Sequence, residues 1–370
     1  QHFQNGKQYL KDRRYSRAAN EFRLAMETSP NEAEYVAFYG WALYNVPRER
    51  DASEDDKKLF VDQTAGDLQF NGREALNRAI AGKPNLRLHL MESYYPSGDE
   101  KNVIFEITGQ VVPSGKLPID TGCVVINVGT AIAIADAAEG KPVTDKWVTL
   151  CGEVPTPITV SVPIGASIRE TLRLSGFAGD ENEYALIVGG PCMGALCRNW
   201  DDPITKTTGG LLVLKRSHPQ IRMREMTMEQ QARLARAICC QCNRCTMLCP
   251  RHAMGLPVEP HKAMRALSTG NGELLGNAAG VLACSSCGLC TNFACEMGLT
   301  PSIVMTMLKQ ELGKAGVRPV PEENITPDPY ITLKEVPVSR LVARMHLSDY
   351  DAPAPLSDQT LTPSEVRIAL

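Results

Sequence analysis

The spacing of apolar residues changes period along the chain. In "GKQYLKDRRYSRAANEFRLAMETSP", Gly6, Tyr9, Ala18, Phe22, Ala25 and Pro30 fall at the spacing of a helical hairpin. Small residues sit where two helices would touch, aromatic residues serve as knobs, and proline stops the second helix. Gly40 and Leu43 follow Gly6 and Tyr9 at an interval of 34 residues. After the polar insert "NVPRERDASEDDKK" the pattern resumes in "NGREALNRAIAGKP" through Leu76, Ala79 and Pro84. From residue 86 the texture shifts. "LRLHL" (86–90) alternates like a strand, and "CVVIN" (123–127) reads as a short buried strand feeding a helix over 129–138. "KWVTLCGEV", "ITVSVPIG", "SIRETLRLSG" and "YALIVGGP" predict strand, strand, helix and strand over 146–191. Residues 226–238, "MTMEQQARLARAI", carry the stripe of an amphipathic helix, and "EPHKAMRALSTG" (259–270) is helical too. The proline-rich "VRPVPEENITPDPY" (317–330) ends the next helical region, and the tail beyond it reads as irregular.

These periods predict a multidomain α+β protein, as expected for 370 residues, too many for one core. Residues 1–85 form helical hairpins whose interval resembles the tetratricopeptide repeat. Two such repeats are few for an independent solenoid, so they predict a protein partner. Residues 146–215 predict a β-grasp-like domain. Composition excludes more than it suggests: with 43% apolar and 22% charged residues and a net charge of −3, nothing favours nucleic acid or anionic lipid. The apolar stretch "GCVVINVGTAIAIADAA" (122–138) is broken by Asn127, Thr130 and Asp136. It falls short of the roughly 20 apolar residues that span a bilayer. The opening "QHFQNGKQYLKDRRY" has charges and no apolar run. The expectation is a soluble, cytoplasmic chain.

Thirteen cysteines in that compartment predict thiols or metal ligands rather than disulfides. Cys123, Cys151, Cys192 and Cys197 are scattered and read as small buried side chains. The rest form two runs. One is Cys239-x2-Cys242-x2-Cys245-x3-Cys249-Pro250, and the other is Cys284-x2-Cys287-x2-Cys290-x4-Cys295. A structural zinc takes four ligands, usually as two separated pairs. Here each run supplies three thiolates at two-residue spacing and a fourth after a wider gap. In two-cluster ferredoxins three such cysteines ligate one [4Fe–4S] cluster and the fourth ligates the other. The expected sets are Cys239, Cys242, Cys245 with Cys295, and Cys284, Cys287, Cys290 with Cys249. Cys240 breaks the rhythm and is read as a non-ligand. His261 is read as a helix-start residue or a donor to the ligand shell. The second run departs from the first in its longer last gap and in Glu296, which stands where the first run has Pro250. The helix between the runs predicts an α-helical ferredoxin domain over 216–318, followed by an extended tail over 319–370.

"LRLHLMESYYPSGDEKNVIFEITGQVVPSGKLPIDTGCVVINVGTA", "KPVTDKWVTLCGEV", "VPIGASIRE", "LIVGGPCMG", "DPITKTTGGLLVL" and both cysteine runs follow one another in order. Over residues 86–370 they resemble the RnfC/PduS family. "VEPHKAMRAL", "CEMGLTPSIV" and "VPVSRLVARMHLSDYD" are similar to its PduS branch. The resemblance implies electron transfer from NADH through FMN and two [4Fe–4S] clusters, with a corrinoid (cobalamin) as acceptor in the PduS branch. It implies that 86–145 is a partial α/β segment like the flavin-binding subunit of complex I. It also makes 146–215 a soluble-ligand-binding β-grasp domain. Gly98, Asp99 and Glu100, which follow Tyr95 in "YPSGDE", match family positions beside the flavin, as do Asn127 and Thr130 in "NVGT". They either contact FMN or remain as turn and helix-cap residues. The family's glycine-rich phosphate loop has no counterpart here, since "GNGELLGNAAG" (270–280) lies between the cysteine runs and follows no strand. The implied partners are redox proteins or a flavin-bearing subunit. The implied setting is a bacterial microcompartment or a peripheral place on a complex at the inner membrane face. A function of another class stays open, in which the helical repeats bind a protein and the clusters are structural or sensory.

Overall fold

The computed structural model describes residues 1–12, 14–28, 81, 87–91, 94–327, 336–351, 354, 356, 357, 359 and 361. They belong to two compact units, Gln1–Leu90 and Met91–Leu370. In the first unit, α1 (His2–Lys11) and α2 (Tyr15–Thr28) pack as a hairpin. Gly6 sets the approach, because a Cβ there would lie 2.5 Å from the Phe22 ring. Ala18 and Phe22 are fully buried, and Phe3 lies against Phe22 with ring centroids 5.6 Å apart. The second hairpin expected from Gly40, Leu43, Leu76 and Ala79 falls outside the described residues.

The second unit begins with two helices, α3 (Glu100–Thr108) and α4 (Val128–Ala138). Among the described residues of 86–144 there is no strand, so "LRLHL" and "CVVIN" do not form the strands their alternation predicts. Residues 87–90 and 123–127 pair with no neighbour, and Val124 and Ile126 are 73% and 51% exposed. Apolar alternation becomes a strand only where an adjacent strand takes its backbone N–H and C=O groups.

A six-stranded sheet follows. Its strands are β1 (Asp145–Gly152), β2 (Ile158–Pro163), β3 (Tyr184–Val188), β4 (Ala195–Leu196), β5 (Gly210–Lys215) and β6 (Leu356–Ser357), with α5 (Ile168–Arg173) between β2 and β3. The order is β4-β3-β5-β1-β2-β6. β1 and β2 form an antiparallel hairpin with Val148 opposite Val160. β5 returns parallel to β1 with Leu150 opposite Leu211, and β3 pairs antiparallel with β5. Burial alternates along β2, whereas the centres of β3 and β5 are buried on both sides. Such strands read as continuous apolar runs because both faces must be covered. On one face Leu186, Leu211 and Val213 meet Ile168 and Leu172 of α5, with Phe177 and Trp200. On the other, Ala185, Ile187, Leu212 and Leu214 meet Ile221 of α6 (Pro219–Glu225), and also Cys287 and Leu289 of the second cysteine run.

The cysteine region is helical. It comprises α7 (Met228–Ile238), α8 (Arg244–Met247), α9 (Pro250–Ala253), α10 (Pro260–Thr269), α11 (Ala278–Leu282) and α12 (Pro301–Lys314). Ala235, Met264, Val281, Val304 and Met305 join them in one core. Thr227 and Gln230 form a capping box that starts α7. The tail expected to be extended instead carries α13 (Val338–Arg344), whose Leu341, with Met345 just after it, covers the second sheet face. Apolar residues at helical spacing outweigh the prolines before them. No helix among the described residues is long and apolar enough to cross a membrane.

Gly288 marks the seat of the second cysteine run on the sheet domain. Its φ is +78°, and a Cβ there would lie 2.6 Å from the carbonyl oxygen of Cys192. Gly288→Ala is expected to destabilise the protein by about 1–3 kcal/mol in urea unfolding. Gly98→Ala, where a Cβ meets nothing within 4 Å, should change stability by less than about 0.5 kcal/mol. Equal effects of the two changes would show that this seat is misplaced.

Candidate functional site

Eight cysteines gather at two cavities, and each cavity draws on both runs. The first is lined by Cys239, Cys242, Cys245 and Cys295, with Cys240 and His261 at its wall. The second is lined by Cys249, Cys284, Cys287 and Cys290. No three His, Cys, Asp or Glu side chains among the described residues are placed to close on one metal ion. The thiols surround space instead. Cys249, Cys287 and Cys290 are buried, whereas Cys240 and Cys242 are exposed.

The two runs adopt one backbone plan. Gln241 and Ser286 stand two residues after the first cysteine of each run, and both are left-handed, with φ of 55° and 57°. Asn243 and Gly288 follow the second cysteine, and they are left-handed too, at 64° and 78°. These reversals turn successive thiols toward the same cavity. The extra residue before Cys295 is absorbed by a π-helical turn over Cys290–Ala294, one residue wider than an α-turn. Glu296 pairs with Arg244 and so joins the two runs.

Burial is the first cause of raised thiol pKa values here, and the neighbouring cysteines are the next. Cys245 is pushed up to about 12 by burial and by Cys295, Cys242 and Cys239. Burial raises Cys249, with Cys287 and Cys284 adding to it. Cys290 is raised well above its ordinary value by burial, then by Cys284, Cys287, Cys249 and finally Cys245, which places the two sets side by side. Four thiols packed together resist ionisation unless iron supplies the compensating positive charge. Donors are already in place for thiolate sulfur. Ser286 N–H points to Cys284 Sγ at 3.3 Å, and Gln241 Nε2 to Cys239 Sγ at 3.1 Å. Backbone N–H groups of Arg251 and His252 serve Cys249, and those of Met297 and Leu299 serve Cys295. This donor set fits a cluster in each cavity. His261 shares a hydrogen bond with Thr246 Oγ1 at 2.8 Å and sits at the wall of the first cavity.

The residues matched to a flavin site divide into two groups. Asp99 caps α3, accepting from the N–H groups of Lys101 and Asn102, and pairs with Arg251 at 2.9 Å. Asn127 caps α4 through Gly129 N–H at 2.8 Å. Gly98, Glu100 and Thr130 lie open on the surface or partly so. No hydrogen bond or ion pair joins the Gly98–Glu100 turn to Asn127 or Thr130 among the described residues. These side chains are occupied as caps and do not by themselves fit a complete flavin site. Tyr95 does reach the second cysteine run, where its hydroxyl donates to the Cys287 carbonyl at 2.5 Å. Burial raises the phenol, and Cys192 and Cys287 raise it further. Cys192, in "VGGPCMG", lies against the same loop through Gly288. Sequence reasoning missed Arg251, whose partner Asp99 is distant in the chain, and Gln241, whose amide turns back onto the Cys239 sulfur only in the left-handed backbone the fold gives it.

The family profile of the Nuo51 FMN-binding domain matches residues 68–136, and that of the 4Fe-4S dicluster domain matches residues 238–300. The chain is 40% identical to cobalamin reductase PduS of Salmonella typhimurium over 287 residues, 77% of this chain and 63% of that protein. It is 40% identical to PduS of Citrobacter freundii over 275 residues, 74% and 60% of the two chains. A component of the Na(+)-translocating ferredoxin:NAD(+) oxidoreductase complex of Acetobacterium woodii is 33% identical over 195 residues, 52% of this chain and 41% of that component. The chain thus spans less than two thirds of the length of each of these relatives. The relatives, the two family profiles and the two cysteine-lined cavities together support the RnfC/PduS family for this chain.

Proposed function

We propose that this chain conducts electrons through two [4Fe–4S] clusters as part of an oxidoreductase. One observation carries this: each cavity brings together the three evenly spaced cysteines of one run and the last cysteine of the other, with Cys240 as a fifth at the first cavity. Cys239, Cys242, Cys245 and Cys295 hold the first cluster, and Cys249, Cys284, Cys287 and Cys290 hold the second. Bound clusters supply reversible one-electron storage. The protein's own part is to orient the thiolates, donate N–H groups to their sulfur, and limit water at the second cavity. Tyr95, which precedes the flavin-matched turn, bonds the carbonyl of Cys287 at the second cavity, and the first cavity opens to solvent at Cys242. Electrons therefore enter on the second side and leave on the first.

The sheet supports a finer reading. A hairpin, a crossing helix and a return strand parallel to β1 are the parts of a β-grasp domain, here pressed against the second cluster loop. The PduS relatives are cobalamin reductases by name, so a corrinoid is the acceptor we propose. The donor is a reduced flavin or NADH-linked protein. Asp99 and Asn127 are engaged as helix caps, and that favours a flavin completed by other residues than those matched here.

Anaerobically purified protein should contain about eight iron and eight sulfide per chain, two cubanes of four each. Stoichiometric zinc without sulfide would refute the proposal. Cys242→Ala and Cys287→Ala should each remove one cluster, whereas Cys240→Ala should leave both, and loss of a cluster in Cys240→Ala would redraw the ligand set.

The chain alone is expected to copurify without stoichiometric FMN and to leave NADH unoxidised, as read by the flavin spectrum and by absorbance of NADH. Tight FMN would promote Gly98, Asp99, Glu100, Asn127 and Thr130 to cofactor contacts. The dithionite-reduced chain, freed of excess dithionite, should reduce cob(III)alamin in a visible spectrum. An unchanged spectrum would remove the corrinoid as acceptor.

A further inference from the structure

A buried positive charge beside the second cavity is only half satisfied by the protein around it. Arg251 follows Cys249 and Pro250 at the start of α9 and is 6% exposed. Its Nη2 bonds both oxygens of Asp99, at 2.9 Å and 3.0 Å. Its Nε and Nη1 are buried without a hydrogen-bond partner. Leaving two guanidinium donors buried and unpaired is strongly unfavourable unless negative charge lies close by. The residue's own N–H already serves the Cys249 thiol.

We propose that Arg251 sets the reduction potential of the cluster held by Cys249, Cys284, Cys287 and Cys290, with Asp99 fixing its guanidinium. The proposal rests on the two-cluster reading above. In the step concerned, one electron from a reduced flavin or a chemical reductant enters the cluster. No bond to a thiolate breaks and no proton moves. The reduced cluster carries one more negative charge, so a fixed buried cation stabilises it more than the oxidised form and raises its potential. Lys309 donates to the Cys284 carbonyl at 2.7 Å, and Lys101 donates to the carbonyls of Val112 and Pro113, so both add positive charge on this side. Asp99 and Glu322, the latter bonded to Ser114, offset it in part. Because Asp99 belongs to the turn matched to the flavin site, one ion pair joins that turn to the cluster's own loop. Arg251 acts through the cluster and is a positioning residue.

The test is a dithionite titration followed by electron paramagnetic resonance, in the full chain carrying Cys242→Ala so that only the second cluster remains. Arg251→Gln is expected to lower the ratio of reduced to oxidised cluster at the parent midpoint about tenfold, a shift of about 59 mV downward for one electron. Asp99→Asn keeps the helix cap and removes the balancing charge, so its midpoint should move upward. Arg251→Lys should fall between the parent and Arg251→Gln. About four iron retained per chain with an unchanged midpoint in Arg251→Gln, or a downward shift in Asp99→Asn, would overturn the proposal. If Arg251→Gln loses its iron, Arg251→Lys and Asp99→Asn decide it, since parent-like midpoints in both refute it. A parent without about four iron and four sulfide would instead fail the two-cluster reading.

Discussion

Strands β3 and β5 are apolar on both faces, and much of the second unit follows from that constraint. A sheet with two apolar faces needs two covers. The connection from β2 to β3 supplies one in α5. The other is assembled from α6, α13 and the loop that carries Cys287 and Leu289. Seating this loop on the sheet buries Cys287 and Cys290 and brings Cys192 and Tyr95 to the same place. The hydrophobic demand of the sheet therefore creates the dry environment of the second cavity.

Dryness alone would work against the chemistry. A buried thiolate is unfavourable, and four together are worse, as the raised pKa values of Cys245, Cys249 and Cys290 reflect. The structure answers with aimed donors: Ser286 N–H at Cys284, the Gln241 amide at Cys239, and the helix-start N–H groups at Cys249. The first cavity has fewer such demands because Cys242 meets solvent. The pair of sites thus offers one protected cavity and one accessible cavity.

The turn matched to the flavin site has acquired structural duties. Asp99 caps α3 and holds Arg251, and Asn127 caps α4. A carboxylate with three acceptor bonds inside the protein has little capacity left for a cofactor. In contrast Gly98 is under no steric demand, which leaves its backbone free for close approach by a ligand.

Much of this protein was legible in its sequence. Period-two alternation located β1 and β2, the short apolar run "YALIV" located β3, and the 3.6-residue stripes located α7 and α10, because these patterns reflect how many faces of a local element are buried. Cysteine spacing nominated eight residues, and all eight line the two cavities, where Cys240 joins them at the first. Other features waited for the tertiary structure. "CVVIN" has strand composition but no strand beside it, and the tail beyond Pro337 forms α13 because a sheet face lay open to it. The π-turn before Cys295, the seat of Gly288 on Cys192, and the pairing of Arg251 with Asp99 join residues distant in sequence. Local pattern fixes what a segment can be. Only packing decides which buried charges meet, since their energies depend on neighbours that sequence spacing does not encode.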